Sequence, residues 1–419
     1  MINTIDLFAG CGGLTEGFKQ SGLFDCLAFV EWDKAPCDAL RHHMKTKWQC
    51  QNADEIVMHF DIQRTDELIK GWNDSEYGNS IGMDALIQKS GKIVDIIIGG
   101  PPCQAYSVAG RIRDENSMKS DYRNYLFESY VKIVRHYTPK AFVFENVPGM
   151  LSARPGDGSV LVSEMIKKQF SDAGYVLIDD LNRAIVDFAE YGIPQKRSRV
   201  IILGLNRDYY GDSAKQLLEN FYSEILPKRK VEKKATVRDA IGDLPKIYPL
   251  KEPIRIKGKQ FSHLPNEPIE IPNHSARYNS KREIDIFKML EEDIETGKCQ
   301  YTSIEALKKI YTEATGKESN IHKYYVLRWD KQSNTIPAHL YKDGLRHIHP
   351  DSTQARSITV REAARLQTFP DDYEFISGTA MDYKMIGNAV PPLFAKKLAE
   401  SVHELLFSKE GENYAKEKD

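Results

Sequence analysis

A buried strand that runs straight into two glycines and two prolines restricts what this chain can fold into. Asp95 to Ile98 reads DIII, a short apolar, β-branched run of the kind that forms a parallel strand covered on both faces. Gly99-Gly100-Pro101-Pro102-Cys103-Gln104 follows, and neither glycine nor proline extends a strand, so the chain turns there. Ala141 to Phe144, AFVF, is a second such run, and it ends on Glu145-Asn146-Val147-Pro148. Open α/β sheets bind ligands at the carboxyl ends of their strands. Cys103 on a stiff loop and Glu145 at a strand end are therefore a nucleophile candidate and an acid candidate that could face one cleft. Each has a plainer reading. A lone cysteine is often a small buried hydrophobe, and a glutamate at this place can be a helix cap or a solvated strand end.

The first half of the chain alternates strand and helix. Thr4 to Phe8, Cys26 to Val30, His59 to Ile62, Asp95 to Ile98, Ala141 to Phe144, Tyr175 to Leu181 and Val200 to Leu205 read as strands. Between them, helices are expected through Leu14, Phe18 and Leu23, over Lys34 to His43, over Tyr125 to His136 and over Val162 to Phe170. This alternation predicts an α/β fold with a doubly wound, mostly parallel sheet. After Asn206 the texture changes: Pro and Lys become frequent and apolar periodicity is lost from about Pro227 to Asp351. A second, smaller, loop-rich domain is expected there. A helix returns at Thr359, and Gly387-Asn388-Ala389-Val390-Pro391-Pro392 precedes a final amphipathic helix. The resulting division is 1–207, 208–354, and a segment 355–419 that rejoins the first part.

Composition narrows the class of protein. A length of 419 residues allows two or three domains. No apolar run approaches the ~20 residues that span a membrane, and MINTIDLFAG has no basic region followed by a long apolar stretch, so a cytoplasmic protein without a signal peptide is expected. A net charge of −2 does not announce a nucleic-acid binder, although Lys228-Arg229-Lys230 with Lys233-Lys234, and Lys251, Arg255, Lys257 and Lys259, form local basic runs. The six cysteines show neither a CxxC pair nor a cluster with histidine, which argues against a disulfide framework and a zinc site.

The glycine turn after the first strand, Asp6-Leu7-Phe8-Ala9-Gly10-Cys11-Gly12-Gly13, lets backbone approach a nucleotide-like ligand closely. Glu31, at the end of the second strand, stands where an acid can hold ribose hydroxyls. Trp32 beside it can stack on an adenine ring or serve the core. A nicotinamide-dependent dehydrogenase would use the first strand and turn in this way, but it would not explain PPC and ENV together.

Six blocks in order, DLFAGCGGLTEGF, GGPPCQAYS, FENVPG, YGIPQKRSRVIILG, REAARLQTFPDDY and YKMIGNAVPP, resemble those of the cytosine carbon-5 DNA methyltransferases of bacterial restriction-modification systems. The departures are Ala105-Tyr106 in the second block and a segment between Trp48 and Lys92 that is longer than in compact members. The resemblance implies a Rossmann-like methyltransferase fold and transfer of a methyl group from S-adenosylmethionine to carbon 5 of a flipped-out cytosine in a specific duplex sequence. It implies Cys103 as nucleophile, Glu145 at ring nitrogen 3, Arg199 at the cytosine carbonyl oxygen, and Arg197 supporting the loop or a phosphate backbone. For the cofactor it implies Phe8, Gly10, Gly12 and Gly13 near the methionine part, Glu31 at the ribose, Trp32 on the adenine face and Asp61 at the adenine amino group. Pro102, Asn388 and Val390 complete that pocket, and Asn388 can equally cap a helix. Residues 208–354 occupy the place of the family's target recognition region. Double-stranded DNA is then the partner, with the protein acting as a monomer on it in the bacterial nucleoid, and a cognate restriction endonuclease acting separately is a candidate partner. A tRNA-modifying relative would carry a Cys-Phe-Thr signature, whereas Cys299 here precedes Gln300-Tyr301; a silent relative would lack Cys103 or Glu145.

Overall fold

The computed structural model describes residues 1–102, 126–154, 159–320, 323–342 and 344–407. The chain divides into two compact units. Met1–Tyr191, Ser198–Glu232 and Val390–Asp419 make up the first, and Gly192–Arg197 with Lys233–Ala389 the second.

An eight-stranded sheet organises the first unit. Its strands are β1 (Ile2–Leu7), β2 (Phe24–Glu31), β3 (Val57–His59), β4 (Ile96–Gly99), β5 (Ala141–Asn146), β6 (Tyr175–Val176), β7 (Ile185–Asp187) and β8 (Ser198–Asn206). They lie in the order β3-β2-β1-β4-β5-β8-β6, with β7 also paired to β8. The pairs from β3 to β5 are parallel and those made by β8 are antiparallel. This is a doubly wound, mostly parallel sheet, as the alternation of elements predicts. The central strands read as nearly continuous apolar runs because helices cover both faces: all four residues of β4 are buried.

Helices α1 (Gly13–Gln20), α2 (Lys34–Thr46), α3 (Gly82–Ser90), α4 (Leu126–Tyr137) and α5 (Val162–Asp172) flank the sheet. Phe142 of β5 stacks on Phe170 of α5 with ring centroids 4.0 Å apart. The Tyr130 hydroxyl on α4 reaches the carbonyls of Ile97 and Val143 at 3.0 and 2.8 Å. Between α1 and α2, the buried Glu16 and His43 meet at 2.8 Å.

Three local expectations change. The first helix ends at Gln20, so Leu23 lies beyond it, next to the start of β2. The run from Tyr175 to Leu181 is a strand only over Tyr175–Val176, because Asp180 accepts the Asn182 N–H and starts a tight 3₁₀ turn at Leu181–Ala184. The third strand ends at His59, so Phe60 to Ile62 lie beyond it.

The second unit is more regular than the fading periodicity suggests. It contains an antiparallel ribbon of β9 (Ile247–Ile256) and β10 (Lys259–Pro265). It also holds α6 (Lys281–Glu295), α7 (Ile304–Thr315), α8 (Val360–Leu366) and α9 (Thr379–Asn388). Ser280 and Glu283 form a capping box at the start of α6, and a narrow stripe including Phe287 and Leu290 is buried. That stripe is diluted by charged neighbours, which is why the helical period is faint in sequence. Beside its apolar cluster the unit buries an ion pair: Arg356 donates to both oxygens of Glu362, at 2.7 and 2.6 Å, and both side chains are buried. α10 (Pro392–Leu406) belongs to the first unit, where Phe394 stacks on Phe188 at 4.0 Å.

Candidate active site

The two strand ends that carry the acid and thiol candidates lie side by side. β4 and β5 are parallel with Gly99 opposite Phe144, so the GGPP turn leaves the sheet beside Glu145. A Cβ built on Gly100 would stand 2.7 Å from Glu145 Oε2, and a glycine there lets the loop pass the carboxylate at such close range. Asn146 Nδ2 donates to the Pro101 carbonyl at 3.2 Å, and Asn146 Oδ1 accepts from the Val147 N–H at 2.9 Å. The second block is thereby tied to the third. Pro101 is buried and Pro102 exposed; Cys103 lies outside the described residues.

Arg199 arrives on β8, where Ile201 pairs with Glu145 and Arg199, two residues earlier, lies on the same face. Its Nε is 3.0 Å from Glu145 Oε1, with the two side chains 15% and 12% exposed, so this ion pair sits at a partly desolvated rim. Arg197 has a different setting. It is buried in the second unit, donating to the carbonyls of Ile336 at 3.3 Å and of Gly387 and Ala389 at 3.1 Å. Gln195 beside it binds the Leu366 carbonyl and Gln367, and accepts from the Ile336 N–H. One short block therefore ends with a loop-bracing arginine and an arginine on an acid.

The carboxyl ends of β1 and β2 form the second part of the site. Glu31 accepts the Gly10 N–H at 2.8 Å and the Asp33 N–H at 2.7 Å, and burial raises its carboxyl above the usual range. Phe8 and Gly10 both have left-handed φ, +59° and +57°, and a Cβ on Gly10 would meet nothing within 4 Å. That leaves open space where the turn passes the strand ends. Gly12 caps α1 and Gly13 begins it. Trp32 is 53% exposed, and its Nε1 donates to the Tyr77 hydroxyl at 3.1 Å. Asp61 lies two residues past β3, where its Oδ1 accepts the Gln63 N–H at 3.0 Å. Open backbone, an acid beside it and an exposed indole fit an adenosyl group. Val390 is buried in the first unit, and Asn388 is exposed at the last position of α9 in the second.

The family model for C-5 cytosine-specific DNA methylase matches residues 2–404. The chain belongs to that family. It is a DNA (cytosine-5-)-methyltransferase, and such enzymes draw their methyl group from S-adenosylmethionine. A type II methyltransferase of Bacillus paralicheniformis is 34% identical, over 96% of this chain and 98% of the relative. One from Desulfomicrobium norvegicum is 30% identical, over 96% and 88%. Among solved structures, a putative DNA modification methyltransferase encoded within a prophage of E. coli superposes with a TM-score of 0.58 at 22% identity, covering 97% of this chain and 99% of that one. The Dnmt2 methyltransferase of S. pombe gives 0.52 at 15% identity, covering 97% and 98%. Among the described residues no helix is long and apolar enough to cross a membrane.

Two residues of this methylase have neighbourhoods that motif reading overlooks. Tyr77, from the segment between Trp48 and Lys92, stands beside Trp32 and packs at 5.1 Å from His59 and 5.2 Å from Phe60. Its only sequence signal is the turn-rich stretch Asp74-Ser75-Glu76-Tyr77-Gly78 between two short strands. Asp6, the first residue of the glycine-turn block, is wholly buried. It takes a short hydrogen bond from the Thr15 hydroxyl through Oδ2, while Oδ1 has no partner among the described residues. Burial pushes its carboxyl up to about 7.

Proposed function

We propose that the methylase modifies cytosine in a specific duplex DNA sequence through a covalent adduct with Cys103, on a base turned out of the helix. The observation that carries this reading is the clamp between the GGPP loop and Glu145-Asn146, because it supports a thiol and an acid serving one ring. Cytosine carbon 5 is a poor nucleophile. Addition of the Cys103 thiolate to carbon 6 makes the ring an enamine-like species that is reactive at carbon 5. Glu145 shares a proton with ring nitrogen 3 and so stabilises the charge that develops on attack. Arg199, already on the Glu145 carboxylate, holds that acid in place and reaches the carbonyl oxygen. The methyl group comes from the sulfonium of S-adenosylmethionine. Loss of the carbon-5 proton then expels the thiolate and frees Cys103. The stacked faces of a paired base are closed to a thiol, so the cytosine leaves the duplex first.

Phe8, Gly10, Gly12 and Gly13 with Pro102 would line the cofactor's methionine part, Glu31 the ribose, Trp32 and Asp61 the adenine, and Asn388 and Val390 the remaining wall. Arg197 is assigned to bracing the loops it bonds, since its guanidinium is buried. Of residues 208–354, the part that lies in the second unit, 233–354, is assigned to target recognition, on an enzyme that acts as a monomer and has a separately acting endonuclease as its natural counterpart. The test is a duplex containing 5-fluorocytosine at the methylated site, whose fluorine blocks the final proton loss. Wild-type protein should form a denaturation-resistant complex with it in the presence of cofactor, and Cys103→Ala should not. An adduct formed by Cys103→Ala would overturn the assignment.

A further inference from the structure

The ribbon β9–β10 has a feature that its role as sheet does not explain. Its base is anchored: the Ile247 N–H donates to Gln354 Oε1 at 2.9 Å, Ser262 Oγ accepts the Asn279 N–H at 2.9 Å, and Ser262 and His263 are buried. Its far half is bare, with every residue from Lys251 to Gln260 exposed. Lys257 and Gly258 at the tip both have positive φ, +48° and +82°, the backbone that a tight two-residue hairpin turn requires. Register pairs Ile254 with Phe261, Arg255 with Gln260, and Ile256 with Lys259. Residues paired across two strands project from one face. Arg255 and Gln260 therefore stand together on one face, while Ile254, Ile256, Phe261 and Lys259 share the other. Lys259 Nζ lies 5.4 Å from the Phe261 ring. Within 251–260, Lys251, Arg255, Lys257 and Lys259 outweigh the one acid, Glu252.

We propose that this ribbon enters the DNA major groove and reads bases through Arg255 and Gln260, with Lys257 and Lys259 on the phosphates. The proposal rests on the enzyme's acting on duplex DNA. A two-stranded ribbon fits the width of the major groove, and its excess of positive charge complements the phosphates that flank it. Arginine forms a bidentate pair with guanine O6 and N7, and glutamine with adenine N6 and N7. Side by side, about 5 Å apart at their Cβ atoms, the two side chains can address neighbouring base pairs.

The experiment incubates the enzyme and its variants with S-adenosylmethionine and a randomised duplex library, and reads methylated sites by bisulfite sequencing. Anisotropy against salt on a fixed duplex gives binding without catalysis. Arg255→Ala and Gln260→Ala should each relax the preference at one base pair, roughly ten- to a hundredfold for the arginine, and leave other positions unchanged. Arg255→Lys keeps the charge, so it should keep the salt dependence and lose the base preference. Lys257→Gln with Lys259→Gln should weaken all sequences alike and reduce the salt slope by about two. Unchanged preferences in active Arg255→Ala and Gln260→Ala, or a wild-type salt slope in the double lysine variant, would overturn the proposal. For a variant too weak to methylate, circular dichroism establishes folding, and wild-type anisotropy on that folded protein counts against the ribbon. Failure of the wild-type enzyme to methylate any library sequence would instead defeat the underlying reading, and it would be seen before any variant is tested.

Discussion

Glu145 and Arg199 show how a side chain acquires a role from its neighbours. At the end of β5 a glutamate alone could be solvent-facing; with Arg199 Nε at 3.0 Å and Gly100 pressed against it, its carboxyl is oriented across the strand ends. Asp6 is the opposite case, an acid deep in the fold with one oxygen unpartnered among the described residues. Its folded pKa of about 7 exceeds the ordinary 3.8, so the native state binds the proton more tightly than the unfolded chain. Stability from this group is therefore present at low pH and is lost as pH rises from about 4 through 7. Asp6→Asn removes that dependence, while whatever the buried amide costs is the same at every pH. The variant should gain roughly 2 kcal/mol relative to wild type between pH 5 and pH 8. Parallel urea titrations at the two pH values check this, and an equal gap at both would place the proton elsewhere.

At the scale of elements, two contacts set how closely pieces can pack. On α1, a Cβ at Gly17 would lie 2.3 Å from the Pro392 carbonyl and 2.4 Å from Ala395 Cβ, so the first and last helices of the unit meet backbone to backbone. Gly17→Ala should cost about 1–3 kcal/mol through overpacking, despite alanine's better helix propensity, and chemical denaturation of the purified variant measures it. In the second unit, Glu362 serves three purposes at once. It accepts the Thr359 N–H in a capping box at α8, bonds Arg356 twice, and lies 3.5 Å from His349. Desolvation opposes its charge, yet Arg356 and His349 hold the carboxyl well below the usual range. Glu362→Ala would leave a buried guanidinium without its anion, and about 3–5 kcal/mol of stability should be lost. Replacing Arg356 and Glu362 together with apolar residues of similar volume should cost less than the single change; a double variant as unstable as the single would show that the cap and packing dominate.

For the whole molecule, the division between units gives a test of where sequence preference resides. Grafting residues 233–354 from a relative with a different target should transfer that target while adduct formation still depends on Cys103. Methylome sequencing of cells expressing the chimera is the readout, and a functional chimera that keeps the original site would move recognition into the first unit. The chain passes between units within Gln195-Lys196-Arg197-Ser198-Arg199, the boundary falling after Arg197. A graft that begins at Lys233 leaves that block intact.

The sequence by itself determined the alternating elements, the sheet class, the two strand-end blocks and the family. These follow from local patterns: β-branched runs bounded by glycine and proline, and residue types whose spacing is set within one turn or strand. What surrounds each group was decided only by tertiary structure. No local pattern brings Tyr77 to Trp32, places Arg199 rather than Arg197 on Glu145, or pairs Arg356 with Glu362 inside the second unit. The region after Pro227 reads as loops because its apolar stripes are narrow and interrupted by charged residues, so the hydrophobic period is weak. The alternation of Arg255 and Gln260 against Ile254 and Phe261 became meaningful only with the cross-strand register, since a one-residue slip would move every side chain to the other face.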